Sequence, residues 1–320
     1  MHGWIILDKP VGLGSTQAVS AVKRALRAGG YPKLKVGHGG TLDPLASGVL
    51  PIAVGEATKL AGRMLDSDKV YEFTIGFGVE TDTLDGEGVA VATSAVRPTM
   101  AEVEAVLPRF TGPIEQVPPA YSALKIDGQR AYDLARAGED VVLATRSVTI
   151  HGVSIRHPGL VPGSTDPQST APAEKWMPEQ VRHDGKAESV TFTAHVSKGT
   201  YIRSLARDIA HALGTVGHVT MLRRIKAGPF GLDHAISLDK LAELGHARAL
   251  EDELLPLRAG LDDIPALALT PDQAGLLRQG RVLIGIAADD GPHFANLHDV
   301  PVALVEVLDR EVRVVRGFNL

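Results

Sequence analysis

The chain contains no cysteine. That excludes disulfides, thiolate metal sites and a cysteine nucleophile together. No apolar run reaches the length of a membrane span, because charges interrupt each one. The opening "MHGWIILDKP" lacks the basic region and long apolar core of a signal peptide, so the expected compartment is the cytoplasm. No Gly-Lys-Ser/Thr follows a glycine loop, which removes a P-loop. "GLGSTQ" at 12–17 has Gln17 where a dinucleotide fingerprint needs its third glycine. The twelve histidines show neither HExxH nor another metal-ligand spacing, so neither metal nor cofactor is expected. Asp82, Asp85 and Glu87 in "ETDTLDGEG" are wrongly spaced for a calcium loop and read as an Asp-Gly hairpin turn.

One further absence is local. Between Asp8 and Asp43 there is no acid, while Lys9, Lys23, Arg24, Arg27, Lys33 and Lys35 fall there. Arg223, Arg224 and Lys226 form a second basic cluster. The acids collect elsewhere, as in "EDELL" at 251–255 and "LDD" at 261–263. The formal net charge of −5 argues against a polyanionic partner. Phosphates, however, feel the field within about 10 Å at 0.1 M salt, so distribution outweighs the sum.

The chain has 320 residues, 44% hydrophobic and 22% charged, which suits two soluble domains. Residues 4–7 and 49–54 read as buried strands. "STQAVSAVKRAL" reads as a helix with Ser15 or Thr16 as N-cap and Val19, Val22 and Leu26 on one face. Residues 57–65 and "TMAEVEAVLPRF" look helical, and "KVYEFTIGFGV" alternates like a strand. Strands are predicted near 147–155 and 188–197, and an amphipathic helix over "TYIRSLARDIAHALG" ends at Gly214. This mixture lacks a βαβ rhythm. It predicts an α+β fold with a mixed, largely antiparallel central sheet. Residues 157–187, rich in Pro, Ser, Thr and Gly, read as a flexible surface insertion. Residues 1–255 are expected to form one domain and 256–320 a small β-rich one. The latter has a helix near 271–279 and two alternating runs joined by Asp309-Arg310.

The stretch "GHGGTLDPLASGVLPIAVG" at 37–55 holds a single acid, Asp43. Asp-Pro is a common turn signal, and a plain turn is one account of it. Its context points elsewhere. Gly37, Gly39 and Gly40 permit close backbone approach, His38 shares the loop, and the apolar strand that follows anchors it. A lone acid on a rigid loop suits a nucleophile or a general acid/base.

This stretch closely resembles the catalytic motif of the TruB family of tRNA pseudouridine synthases. Further matches follow in order: "GWIILDKPVGLGST", "DSDKVYEFTIGFGVETDTLDGEG" at 66–88, "PPAYSALKIDGQRAYDLARAG" at 118–138, "SKGTYIRSLARDIA" at 197–210 and "GHVTMLRRIKAGPF" at 217–230. The resemblance covers residues 3–240; Gly14, where the family more often has threonine, and the 157–187 insertion depart from it. It implies a pseudouridine synthase fold with a PUA-like C-terminal domain. It also implies isomerisation, without cofactor, of the T-loop uridine conventionally numbered 55. By the same resemblance Asp43 is the nucleophile or acid/base, Arg203 the arginine that pairs with it, and Tyr71 the active-site tyrosine. Leu222 is an apolar pocket residue, and His38 stacks where the uridine has flipped out. Lys9, Tyr201 and Lys198 serve binding or pocket support. Taken alone, Arg203 reads as an exposed helix arginine, and Tyr71 and Leu222 as core. The implied partner is the T arm of tRNA, met by a monomer without an obligatory protein partner or membrane. Three other readings compete: a guide-RNA-dependent synthase of the same superfamily, an RNA-binding or tRNA-folding protein, and a glycoside hydrolase. The last usually needs two placed carboxylates, and this stretch supplies one.

Overall fold

A strand buried on both faces has no reason to alternate, and the runs "WIIL" and "VLPIAV" do not. In the computed structural model the strand Gly3–Lys9 pairs antiparallel with Ala46–Val54, from Gly3 opposite Val54 to Lys9 opposite Gly48. Ala235–Ile236 joins the first strand in parallel. The structure describes residues 1–122, 124–126, 128–139, 141, 143–156 and 185–320. Most of the predicted 157–187 insertion lies outside the described residues.

The described residues form two units: Met1–Pro44, Gly48–Ser67 and Lys226–Leu320 in the first, Leu45–Ser47 and Asp68–Ile225 in the second. The first unit packs around Trp4, which is fully buried among Val49, Ala53, Leu60, Met64 and Phe230. Its indole Nε1 donates to the Leu257 carbonyl at 3.3 Å, so the one polar atom of the ring is satisfied. The helix Ser15–Ala28 buries Val19, Val22 and Leu26 as the periodicity predicts. Its N-cap is Gly14, whose N–H is taken by Gln17 Oε1 at 2.8 Å, rather than Ser15 or Thr16. Ser15 is drawn inside the first turn because its hydroxyl is used elsewhere.

The C-terminal residues belong to the same unit. Five strands run in the order Ala266–Ala268, Gly291–Leu297, Val300–Leu308, Glu311–Gly317 and Leu283–Ile284, beside the helix Pro271–Arg278. Asp309 and Arg310 make the predicted hairpin turn, both with positive φ. Lys59 Nζ donates to the Gly317 carbonyl at 2.8 Å, and Asn319 N–H donates to Glu56 Oε2 at 2.8 Å. Phe318 is buried in the Trp4 cluster, with Phe294 and Leu304 against it.

In the second unit, Lys69–Phe77 pairs with Ser189–Val196, that strand with Arg146–Ile155, and the last with Gly112–Gln116, all antiparallel. Here the alternation is clear. Val190, Phe192, Ala194 and Val196 are buried, and the residues between them are not. The helix Ile202–Ala212 covers the apolar face with Leu205, Ala206, Ile209 and Ala210, and Gly214 ends it at φ +72°. The predicted helix at 99–110 is a short α-helix, Met100–Val106, capped by Thr99 and Glu102, then a 3₁₀ turn, Leu107–Phe110. Pro108 removes the amide that would continue the α pattern. The architecture is α+β with mixed, largely antiparallel sheets.

Candidate active site

Asp43 sits on the loop between the short strand Val36–His38 and Ala46–Val54. Its side chain is half-buried. Two sets of bonds fix the backbone on either side. Before it, the Ser15 hydroxyl accepts from the Leu42 N–H and donates to the Leu42 carbonyl, both at 2.8 Å. After it, the Pro44 carbonyl accepts from the Gly12 N–H at 2.8 Å and from Lys9 Nζ at 3.3 Å. Leu42 is itself buried. The Asp43 backbone is therefore held by two clamps from the N-terminal segment, and Pro44 restricts its ψ as well.

Lys9 is fully buried, and its ammonium also donates to the carbonyls of Pro10 at 2.9 Å and Leu13 at 2.6 Å. It supports the loop and does not face solvent, so it leaves the set of cations open to a polyanion. Lys23, Arg24, Arg27, Lys33 and Lys35 stay in that set, all exposed. Four of them, with Tyr31, line a cleft of about 720 Å³ beside the helix Ser15–Ala28. The second basic cluster is weaker than its sequence suggests, because Arg224 is buried and only Lys226 is exposed.

The glycines of the loop carry different loads. A Cβ on Gly39 would lie 2.7 Å from Met64 Cβ, so its bareness serves packing against the core. Gly40 has φ +139°, which disfavours any side chain. His38, half-buried, pairs with Ile52 across the strands.

In the second unit, Tyr71 lies on Lys69–Phe77 opposite Ala194, half-buried against the cluster containing Phe73 and Phe192. Leu222 packs on that cluster too. Arg203 is not an exposed helix residue: it is 7% exposed, and its guanidinium donates to the carbonyls of Thr83 at 2.9 Å and Tyr121 at 3.0 Å. It also pairs with Asp85 Oδ2 at 3.2 Å. Asp85 is likewise buried, accepting from Thr83 Oγ1 at 2.5 Å and from the Glu87 N–H at 3.0 Å. The expected tight Asp-Gly hairpin turn does not form: Val79–Thr81 and Ala90–Thr93 pair across the longer connection 82–89, in which Asp85 bridges Val219 in parallel. The Tyr121 hydroxyl donates to Asp82 Oδ2 at 3.2 Å. Burial, then the charge of Asp82, raises its pKa, so it stays protonated.

Tyr201 caps the helix bearing Arg203, and buried Gln116 exchanges two hydrogen bonds with its backbone. Lys198 is exposed on the turn before it. The sequence offers Ser15 only as a helix cap and Asp85 only as a turn residue, and it gives no signal for Gln116. Each acts on backbone or on a partner distant in the chain, which local pattern does not reveal.

A model described as TruB family pseudouridylate synthase, N-terminal domain, matches residues 23–159, and one for the tRNA pseudouridylate synthase B C-terminal domain matches 203–262. The tRNA pseudouridine synthase B of Novosphingobium aromaticivorans is 62% identical, with 100% of this chain and 98% of that protein covered. This chain belongs to the TruB family. The TruB relative from Zymomonas mobilis, of the same name, is 59% identical, covering 100% of this chain and 96% of its own length. A solved archaeal box H/ACA sRNP Nop10–Cbf5 complex superposes on this TruB chain with a TM-score of 0.66, covering 99% of it and 86% of the other at 22% identity. A structure of an H/ACA RNP bound to a substrate RNA containing 2′-deoxyuridine gives 0.68, covering 99% and 85%, also at 22%. These two likenesses speak to the fold alone. Among the described residues, no helix is long and apolar enough to cross a membrane.

Proposed function

We propose that this TruB chain isomerises the T-loop uridine of tRNA, conventionally numbered 55, to pseudouridine. The N1–C1′ bond breaks and a C5–C1′ bond forms. The proton on C5 is lost and N1 gains one, so the base leaves and returns with no net change in atoms. The observation that carries this reading is the double clamp on the Asp43 backbone. It holds one carboxylate on a rigid loop, which is what attack at C1′, or removal of a sugar proton, requires.

Tyr71 presents a ring to stack on the uracil and a hydroxyl that can act on a nearby proton. Arg203 supplies a guanidinium oriented by three acceptors, a fixed positive charge that favours an ionised carboxylate beside it. Leu222 closes the pocket with apolar surface, while Tyr201 and Lys198 support or bind. A stacked uridine must leave the helix to react, at a cost of a few kcal/mol, and His38 fills the vacated stack. The exposed cations from Lys23 to Lys35 face the T-stem phosphates, and residues 256–320 act as a PUA-like domain toward the acceptor end. The enzyme works without a guide RNA or an obligatory protein partner, as a cytoplasmic monomer.

The test is incubation of purified protein with an unmodified tRNA transcript, followed by nucleoside analysis. Pseudouridine at the T-loop position is expected, on the full transcript and on a minimal T-arm hairpin. No product on either RNA overturns the stand-alone reading.

A further inference from the structure

We infer that the second unit carries a binding site for a divalent transition-metal ion of the zinc class, formed by His151, His195 and Asp68. The three come from adjacent strands. His195 lies on Ser189–Val196, His151 on Arg146–Ile155, and Asp68 immediately precedes Lys69–Phe77. His195 alternates with the buried Ala194 and Val196, so it stands on the open face of the sheet.

A register irregularity makes the cluster. Ile150 pairs with Val196 and Gly152 with His195, leaving His151 as the extra residue of a β-bulge. Bulges re-aim a side chain and recur where a sheet carries function. The two imidazole rings come to 4.6 Å between centroids, tilted by 44°.

The geometry favours a metal over a simple ion pair. His151 Nε2 lies 3.1 Å and His195 Nε2 3.6 Å from the same oxygen, Asp68 Oδ2. Zinc bonds of 2.0–2.1 Å at a tetrahedral angle set ligand atoms about 3.3 Å apart. Both distances fall close to that edge, and the three ligand atoms lie within 4.8 Å of one another. An ion pair needs one imidazolium, and a second imidazolium so near would be repelled. A bound cation instead uses both rings neutral, with a lone pair from each and a charge from Asp68. Two nitrogens and a carboxylate oxygen suit zinc and its borderline neighbours, and not magnesium or calcium, which take oxygen. All three residues are exposed, so the ion can enter and a solvent molecule can take the remaining position. Bound there, it ties three neighbouring strands together on the face opposite the apolar one.

The test uses the full chain after dialysis against a chelator. Cobalt(II) is titrated in and its visible d–d bands are followed, then zinc is added in competition. The parent is expected to saturate at one ion per chain with tetrahedral-type bands that zinc abolishes. The bands should vanish in His151→Gln and in His195→Gln, weaken in Asp68→Asn, and persist in His211→Gln, an exposed histidine outside the cluster. Zinc should raise the melting temperature of the parent and leave the His151→Gln/His195→Gln double variant unmoved. Because the two histidines sit on different strands, either single variant carries the test if the other misfolds. Bands and a zinc-induced shift that survive in the double variant overturn the inference. So does a parent that fails to saturate, which would leave the cluster an ion pair only.

Discussion

The tripeptide Thr-Leu-Asp occurs both at 41–43 and at 83–85, in two different local settings. In the first, the bonds described fall on backbone: Ser15 holds Leu42, and Gly12 with Lys9 holds Pro44. In the second, the carboxylate itself is engaged by Thr83, the Glu87 N–H and Arg203. Leu84 adopts a left-handed φ of +62°, held by its N–H to the Thr81 carbonyl at 3.0 Å. Pro44 biases its predecessor toward extended backbone, whereas the left-handed Leu84 turns the second copy so that Asp85 meets its own loop. A shared local sequence thus yields one aspartate whose flanking backbone is clamped and one whose carboxylate pairs with an arginine.

The sharpest way to break that comparison is to make the same change in both copies. Asp43→Asn is expected to reduce isomerisation to background while tRNA affinity and the urea midpoint stay near the parent's. Turnover within tenfold of the parent would remove Asp43 from catalysis. Asp85→Asn should cost stability, up to about 3–5 kcal/mol, because it removes a buried counter-charge from the Arg203 guanidinium. Urea unfolding measures this, and a loss near zero would show that Asp85 is an ordinary turn residue.

Ser15→Ala tests whether the clamp matters. It removes the partner of a buried N–H and a carbonyl together, at a cost of about 1–3 kcal/mol. If the clamp positions Asp43, kcat should also fall, by up to ~10²-fold, with tRNA affinity little changed. A stability loss with kcat intact would make Ser15 a packing residue only.

Tyr71→Phe sharpens the division between binding and chemistry. The ring survives, so tRNA affinity should be nearly normal and only the chemical step should slow in single-turnover assays. An affinity loss without a rate effect would place the hydroxyl on the RNA instead.

The smallest effect concerns charge. Lys23→Ala should lower the slope of log affinity against log salt by about one unit if that side chain neutralises a phosphate. Lys9→Met, in contrast, should not change the slope, because Lys9 is buried. Equal slopes for Lys23→Ala and the parent would put the RNA path on another face.

Much of the fold was legible. The buried strands at 3–9 and 46–54 follow from unbroken apolar runs, and the alternating strands at 69–77 and 189–196 and the helices at 15–28 and 202–212 from hydrophobic period. Less legible were element ends, as at Gly14, and the exposure of individual charges. Lys9, Arg203 and Arg224 look like surface cations in the sequence and are buried in the structure. Composition counts a charge but not what stands over it.

The sequence by itself determined the α+β class, the family, and Asp43 as the acid to watch. These rest on period and on long contiguous motifs, which are properties of neighbouring residues. Only the tertiary structure decided what holds Asp43 in place, which carboxylate meets Arg203 within its own unit, and that His151 and His195 converge on Asp68. Each depends on strands or loops far apart in the chain being brought within hydrogen-bond reach. A one-residue bulge or a single buried hydroxyl decides the outcome, and neither leaves a mark on the local pattern.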